Sequence, residues 1–268
     1  MRFFAGLLLV LVFGCAGNPY SKTNRFHKKQ TKQYAKSLKQ IPNRLYLDSA
    51  IMPRYAVATT NFDMRRPNFV IIHHTAQNSC EQTLRTFTLQ RTKVSAHYVI
   101  CKDGTIHHML NDYLRAWQAG NSKWGNFTDL NSSSIGIELD NNGFEPFPES
   151  QITSLVKLLD TLKRKYFIPT PNFIGHADIA PGRKVDPNAY FPWQNLAERG
   201  FGLWYDTTGV TVPEYFNAQQ ALRIIGYNIK DTTAAIRSFK LHFVQHDTTK
   251  VLNDDDKKIL YDLMQKYQ

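Results

Sequence analysis

The sequence predicts an α/β fold, a central sheet flanked by helices, followed by a small three-helix unit. Three observations carry this expectation. The continuous apolar run Phe69-Val70-Ile71-Ile72 has the composition of a strand covered on both faces. The segment Ser134-Ile135-Gly136-Ile137-Glu138-Leu139-Asp140 alternates strictly, with Ile135, Ile137 and Leu139 on one face and Gly136, Glu138 and Asp140 on the other. Residues 149–166 repeat Ile152, Leu155, Val156, Leu159 and Leu162 at helical spacing, giving one apolar stripe. Strands interleaved with helices in this way build α/β domains.

From the N-terminus, Met1-Arg2 is a short positive start and residues 3–13 are apolar or small. Such a run is too short to span a bilayer but suits the hydrophobic region of a secretory signal. Gly14-Cys15 then resembles the lipobox of bacterial lipoproteins, and Ala16 after it resembles the outer-membrane sorting pattern. Residues 1–15 therefore read as a lipoprotein signal peptide ending at an acylated Cys15. The expected product is exported and lipid-anchored in the outer membrane, facing the periplasm, with plain secretion as the alternative.

Residues 16–47 read as a basic tether, with Lys22, Arg25, Lys28, Lys29, Lys32, Lys36 and Lys39 and too little apolar surface to fold. Residues 1–47 hold nine Lys/Arg and no Asp or Glu, so the formal net charge of +11 leaves only about +2 for the remainder. A nucleic-acid-binding domain would carry its basic stripe on a structured face, so no nucleic-acid partner is expected. An anionic headgroup surface or wall polymer suits the tether better.

The run at 69–72 closes on His73-His74-Thr75-Ala76, and residues 81–92 have helical character with Leu84, Phe87 and Thr88 facing a core. Strands at 97–101 and 105–109 flank Lys102-Asp103-Gly104, where Asp-Gly marks a hairpin. Residues 175–187 form a Gly/Pro-punctuated loop, neither helix nor strand, that carries His176, Lys184 and Asp186. Helical character returns at 194–199, then at 213–226, 232–243 and 254–267. These last three read as a unit able to fold alone, or as the helical tail of a single domain. Cys80 and Cys101 remain, as a disulfide or as two buried thiols.

His73 at a strand end, Glu138 on the less apolar face of its strand, and His176 with Asp186 in the loop make a two-His, one-Asp set, a carboxylate base and, in Lys184, a cation. At this point the sequence resembles the zinc-dependent type 2 N-acetylmuramoyl-L-alanine amidases, which share a fold with the peptidoglycan recognition proteins. The motifs are Val70-Ile71-Ile72-His73-His74-Thr75-Ala76, Ser95-Ala96-His97-Tyr98-Val99-Ile100, Ala116-Trp117-Gln118-Ala119-Gly120, Ser134-Ile135-Gly136-Ile137-Glu138-Leu139, and the loop 175–187, in the family's order. The resemblance implies a mixed central sheet, a catalytic domain over about 48–200 and a helical peptidoglycan-binding domain over 201–268. It also implies one zinc ion per chain on His73, His176 and Asp186, with Glu138 as the catalytic base and Lys184 as the oxyanion partner. The implied reaction hydrolyses the amide between N-acetylmuramic acid and L-alanine in peptidoglycan or muropeptides, by a monomer.

Ala96 stands where many relatives carry tyrosine, which leaves the base role to Glu138; Gln118 stands where relatives often carry histidine. A non-catalytic peptidoglycan-binding lipoprotein is the main alternative, but it should lack a ligand or the base, and all five residues are present. A glycosidase would need a second carboxylate, for which Asp140 is the nearby candidate. A cytosolic recycling amidase conflicts with the export signal. Trp117, Trp124 and Phe144 are candidates for lining a sugar groove, whereas His97 reads as a packed core histidine.

Overall fold

The structure, a computed structural model, describes residues 17–39, 58–64 and 66–268. The signal peptide and Cys15 lie outside the described residues. The chain divides into two compact units between Asp63 and Met64.

In the first unit, α1 (Ser21–Leu38) is a continuous helix where a disordered tether was expected. The segment has little to bury, and none of its residues is buried, but it is rich in Lys, Gln and other helix formers and contains no Gly or Pro. Lys22, Arg25, Lys29, Lys32 and Lys36 recur at alternating spacings of three and four, so they share one exposed face. Among the described residues no helix is long and apolar enough to cross a membrane.

The second unit is built on a five-stranded sheet of β1 (Phe69–His74), β2 (Tyr98–Ile100), β3 (Ile106–His108), β4 (Ser134–Leu139) and β5 (Phe173–Gly175). The order is β3-β2-β4-β1-β5; only the β2–β3 hairpin is antiparallel, so the sheet is mixed. The short β5 was not expected from sequence. Both faces of the sheet are covered, as the apolar run at 69–72 required. On one face Val70, Ile72, Ile135, Ile137 and Leu139 pack with Leu155, Leu159 and Leu162 of the long helix α4 (Glu149–Tyr166). On the other, Phe69, Ile71 and Ile174 join Leu222, Phe239 and Leu260 of the C-terminal helices in one apolar cluster.

The remaining helices are α2 (Cys80–Thr88), α3 (Leu130–Ser133), α5 (His176–Ile179), α6 (Trp193–Glu198), α7 (Ala218–Ile225), α8 (Thr232–Phe243) and α9 (Asp254–Lys266). In α2 it is Thr83 that is buried, while Leu84, Phe87 and Thr88 are only half-buried, and residues 90–92 form a separate 3-10 turn. The helix expected from residue 213 starts later because Asn217 accepts from the Gln220 N–H and caps it. After α7, Gly226 adopts φ 134° and a Cβ there would lie 2.5 Å from the Trp124 ring, so Trp124 is buried against it and lines no groove.

Cys80 and Cys101 form a disulfide, Cα–Cα 5.3 Å, joining the start of α2 to the end of β2. Its 21-residue separation predicts a loop-closure contribution of about 3 kcal/mol. The double variant Cys80→Ala/Cys101→Ala should lose about that much in urea unfolding, with the native near-ultraviolet signal retained before the transition.

Candidate active site

Ligand sites in open α/β sheets gather at the carboxyl ends of parallel strands, and the polar groups lie there. Near the end of β1, His73 lies on the same face as Ile71, and its register partner on β4 is Glu138. Parallel register partners point to the same face, so Glu138 lies beside His73 and opposite the Ile135-Ile137-Leu139 face. β5 runs directly into α5, whose first residue is His176. The loop then turns back, the Ala177 N–H donating to the Asp186 carbonyl at 2.8 Å, and this brings Asp186 over His176. The stretch expected to be wholly irregular thus opens with the end of a strand and one helical turn, because backbone pairing with β1 and the Asp186 carbonyl replaces what the local sequence does not supply.

Three side-chain atoms converge. His73 Nδ1 lies 2.9 Å from His176 Nδ1 and 3.0 Å from Asp186 Oδ2, and His176 Nδ1 lies 3.0 Å from the same oxygen. All three residues are buried.

The outer partners of the rings decide where the protons sit. His73 Nε2 donates to Gln118 Oε1 at 2.5 Å, and His176 Nε2 donates to the Ala119 carbonyl at 3.2 Å. The orientation of the Gln118 amide follows from its other end. The Ser134 hydroxyl donates to the Leu130 carbonyl and so accepts from Gln118 Nε2, at 2.8 Å. With both Nε2 atoms protonated, both Nδ1 atoms present lone pairs. Two imidazole lone pairs and a carboxylate oxygen therefore point at one place, an arrangement that a shared cation reconciles. The residues fit a metal ion on the chemistry of this donor set.

The electrostatics agree. Burial works against protonating His73, but the charges of Glu138 and Asp186 and hydrogen bonds to Asp186 and Gln118 outweigh it and raise its pKa. Burial and the neighbouring His73 push His176 down to about 4. Burial opposes ionisation of Asp186, yet the adjoining imidazoles of His176 and His73 favour its charged form and hold it far below the usual carboxylate range. Glu138 is half-buried, and desolvation raises its pKa, with His73 and Lys184 opposing and Asp186 assisting. Lys184 is half-buried in the loop after α5, close enough for its charge to act on Glu138 and His74.

The other histidines are occupied elsewhere. His74 Nδ1 accepts from the Asn188 N–H at 3.1 Å, and burial lowers its pKa. His97 is a core histidine, Nδ1 accepting from the Gly136 N–H and Nε2 donating to the Leu114 carbonyl. Asp140 is buried, with Lys102 as its opposing charge. Trp117 and Phe144 remain exposed, at 54% and 87%.

Sequence reasoning missed the part played by Gln118, although it noted the position. Gly136 makes room for it, since a Cβ there would meet Gln118 Cγ at 2.6 Å. Arg183 was missed too; its Nη2 donates to the carbonyls of Ala119 and Asn121 at 2.7 and 2.8 Å, tying residues 119–121 to the loop of His176 and Asp186.

Comparison with known proteins follows from this geometry. Residues 63–189 match the N-acetylmuramoyl-L-alanine amidase family. The N-acetylmuramoyl-L-alanine amidase AmiD of Escherichia coli is 33% identical over 210 residues, which cover 66% of this chain and 75% of AmiD. The 1,6-anhydro-N-acetylmuramyl-L-alanine amidase AmpD of Haemophilus influenzae is 37% identical over 107 residues, 40% of this chain and 58% of AmpD. Among solved structures, a complex of E. coli AmiD with anhydro-N-acetylmuramic acid-L-Ala-D-gamma-Glu-L-Lys superposes with a TM-score of 0.70 at 30% identity, covering 80% of this chain and 96% of that one. AmpDH3 of Pseudomonas aeruginosa gives 0.70 at 28% identity, covering 84% and 99%. With AmiD covered over three-quarters of its length and the family matched across the strands and loop that carry the site, the chain belongs to the type 2 N-acetylmuramoyl-L-alanine amidase family.

Proposed function

We propose that this protein is a zinc-dependent N-acetylmuramoyl-L-alanine amidase acting on peptidoglycan or muropeptides, with one zinc ion per chain. The observation that carries the reading is the convergence of His73 Nδ1, His176 Nδ1 and Asp186 Oδ2 with their lone pairs directed inward. His73, His176 and Asp186 would hold the ion, and three protein donors are the number a catalytic zinc would take. When bound, zinc supplies Lewis acidity that acidifies water and polarises a carbonyl. Glu138 accepts a proton from the attacking water and passes it to the amino group of L-alanine as the C–N bond breaks. Lys184 offers its positive charge to the carbonyl oxygen as that oxygen becomes anionic. The products are the lactyl carboxylate of N-acetylmuramic acid and a stem peptide with a free amino end. The AmiD complex and a structure of AmpDH3 with anhydromuramic pentapeptide support this substrate class.

The test is mass spectrometry of muropeptides released from purified wall, with and without a chelator. Stem peptides with a free N-terminal L-alanine should appear, vanish with chelator and return with added zinc. Wall that binds the protein but stays uncut would indicate a non-catalytic recognition lipoprotein instead.

In this reading residues 48–200 are the catalytic domain, 201–268 the peptidoglycan-binding domain, and the protein is a monomer. Cys15 carries the lipid that anchors it to the outer membrane facing the periplasm, and the cationic face of α1 lies against anionic headgroups or wall polymer. Cys15→Ala should move the protein from the membrane to the soluble fraction on cell fractionation. Unchanged partitioning together with unchanged lipid labelling would rule the anchor out.

A further inference from the structure

Asp178 is a residue of the metal loop that the proposed chemistry leaves unused. It sits in α5 two residues after His176, its side chain 2% exposed. A carboxylate so buried needs donors. Among the described residues three reach it. Oδ2 accepts from the Gly175 N–H and from His242 Nδ1, both at 2.7 Å, and Oδ1 accepts from the Tyr227 hydroxyl at 2.8 Å. The first donor is local. The other two come from the C-terminal helices, 64 and 49 residues further along the chain.

Both distant donors are themselves fixed. The Tyr227 ring meets Trp124 edge-on at 5.0 Å between centroids, and burial beside the Asp178 charge keeps its hydroxyl protonated well past the ordinary range. The His242 ring stacks on Trp193 at 3.9 Å and on Phe243 at 4.0 Å. On the receiving side, Asp178 holds the N–H of Gly175, the residue immediately before His176. Gly175 is closely surrounded, since a Cβ there would lie 3.0 Å from Pro187 and 3.1 Å from Trp193. Ile179 and Ala180, which complete the turn, pack in the same apolar cluster as Ala235 and Phe239 of α8.

We infer that Tyr227 and His242 are positioning residues for the metal centre, holding through Asp178 the turn that presents His176. The inference rests on the proposed ligation by His176. It makes the C-terminal helices part of the centre's support, whatever they also bind. Groups that orient metal ligands from behind typically change metal affinity by about 10–100-fold when lost. One shell further out, the lower end of that range applies.

The test is zinc affinity of the full chain by competition with a chromogenic chelator, read beside the Tm of the metal-free protein. Tyr227→Phe removes one oxygen and keeps the ring; His242→Leu removes the donor, and His242→Asn restores an N–H near the position of Nδ1. Leu263→Ala loosens the same apolar cluster without touching Asp178. Tyr227→Phe and His242→Leu should weaken zinc binding about tenfold, with His242→Asn near wild type. Leu263→Ala should lower Tm and leave affinity unchanged. Wild-type affinity in Tyr227→Phe overturns the inference, as does an equal affinity loss in Leu263→Ala, which would mark a general structural effect. If His242→Leu fails to fold, Tyr227→Phe alone decides. A wild-type protein that binds no zinc overturns the ligand assignment itself, and the comparison among variants keeps that outcome separate.

Discussion

His176→Ala is expected to abolish both zinc binding and amidase activity. The substitution removes one of three donors and leaves His73 Nδ1 and Asp186 Oδ2, 3.0 Å apart, without the group that completes the set. Two ligands hold a divalent ion far more weakly than three, and the proposed ligands are brought together by the loop after α5. The ring of His176 also donates to the Ala119 carbonyl, so its loss frees residues 119–121 on one side, although Arg183 still holds them. Elemental analysis should find the variant zinc-free where wild type carries one ion per chain, with turnover at background. The zinc-induced rise in Tm should disappear with it. Stoichiometric zinc in His176→Ala would refute the assignment.

Glu138→Gln should separate proton transfer from metal binding. Glu138 is the register neighbour of His73 but stands outside the converging set, so zinc content should be unchanged. A general base typically contributes about 10²–10⁴-fold, and the variant should fall by that much in kcat at nearly constant KM. Lys184→Ala should also keep its zinc and lose roughly 10²–10³-fold, the scale of one oxyanion contact. Near-normal turnover by zinc-loaded Glu138→Gln would sink the mechanism. The structure narrows what would replace it, since His97 has both ring nitrogens engaged in the core and Asp140 lies buried against Lys102.

Much of this is legible in the sequence. The alternation of β4 and the stripe of α4 each repeat a period long enough to identify the element, and the unbroken apolar run of β1 marks a strand covered on both faces. The candidate set is legible because His73 sits at a strand end and His176 and Asp186 in a stretch punctuated by Gly and Pro, although that stretch opens with the end of β5 and the turn of α5. What escaped is tertiary. β5 spans three residues and exists because it pairs with β1, which no local period reports. The apolar faces of the C-terminal helices announce that they bury something, but not that Phe69, Ile71 and Ile174 of the sheet are part of it. α1 departs from expectation for the opposite reason, since it forms on helix propensity with no core to bury. Gln118 stands out in the sequence only as a departure from relatives, and Asp178 not at all; their roles come from partners scattered across the chain.

The amide of Gln118 gives the site a fixed polarity. From the Leu130 carbonyl through Ser134 and Gln118 to His73, every hydrogen bond runs in one direction, and reversing one link would set acceptor against acceptor at the next. A histidine at that position gains and loses a proton near neutrality, and each change would alter what the ring of His73 encounters. A carboxamide does not titrate. The imidazole it faces therefore meets the same acceptor at Nε2 in acid and in base alike, and that partner does not change with the acidity around it.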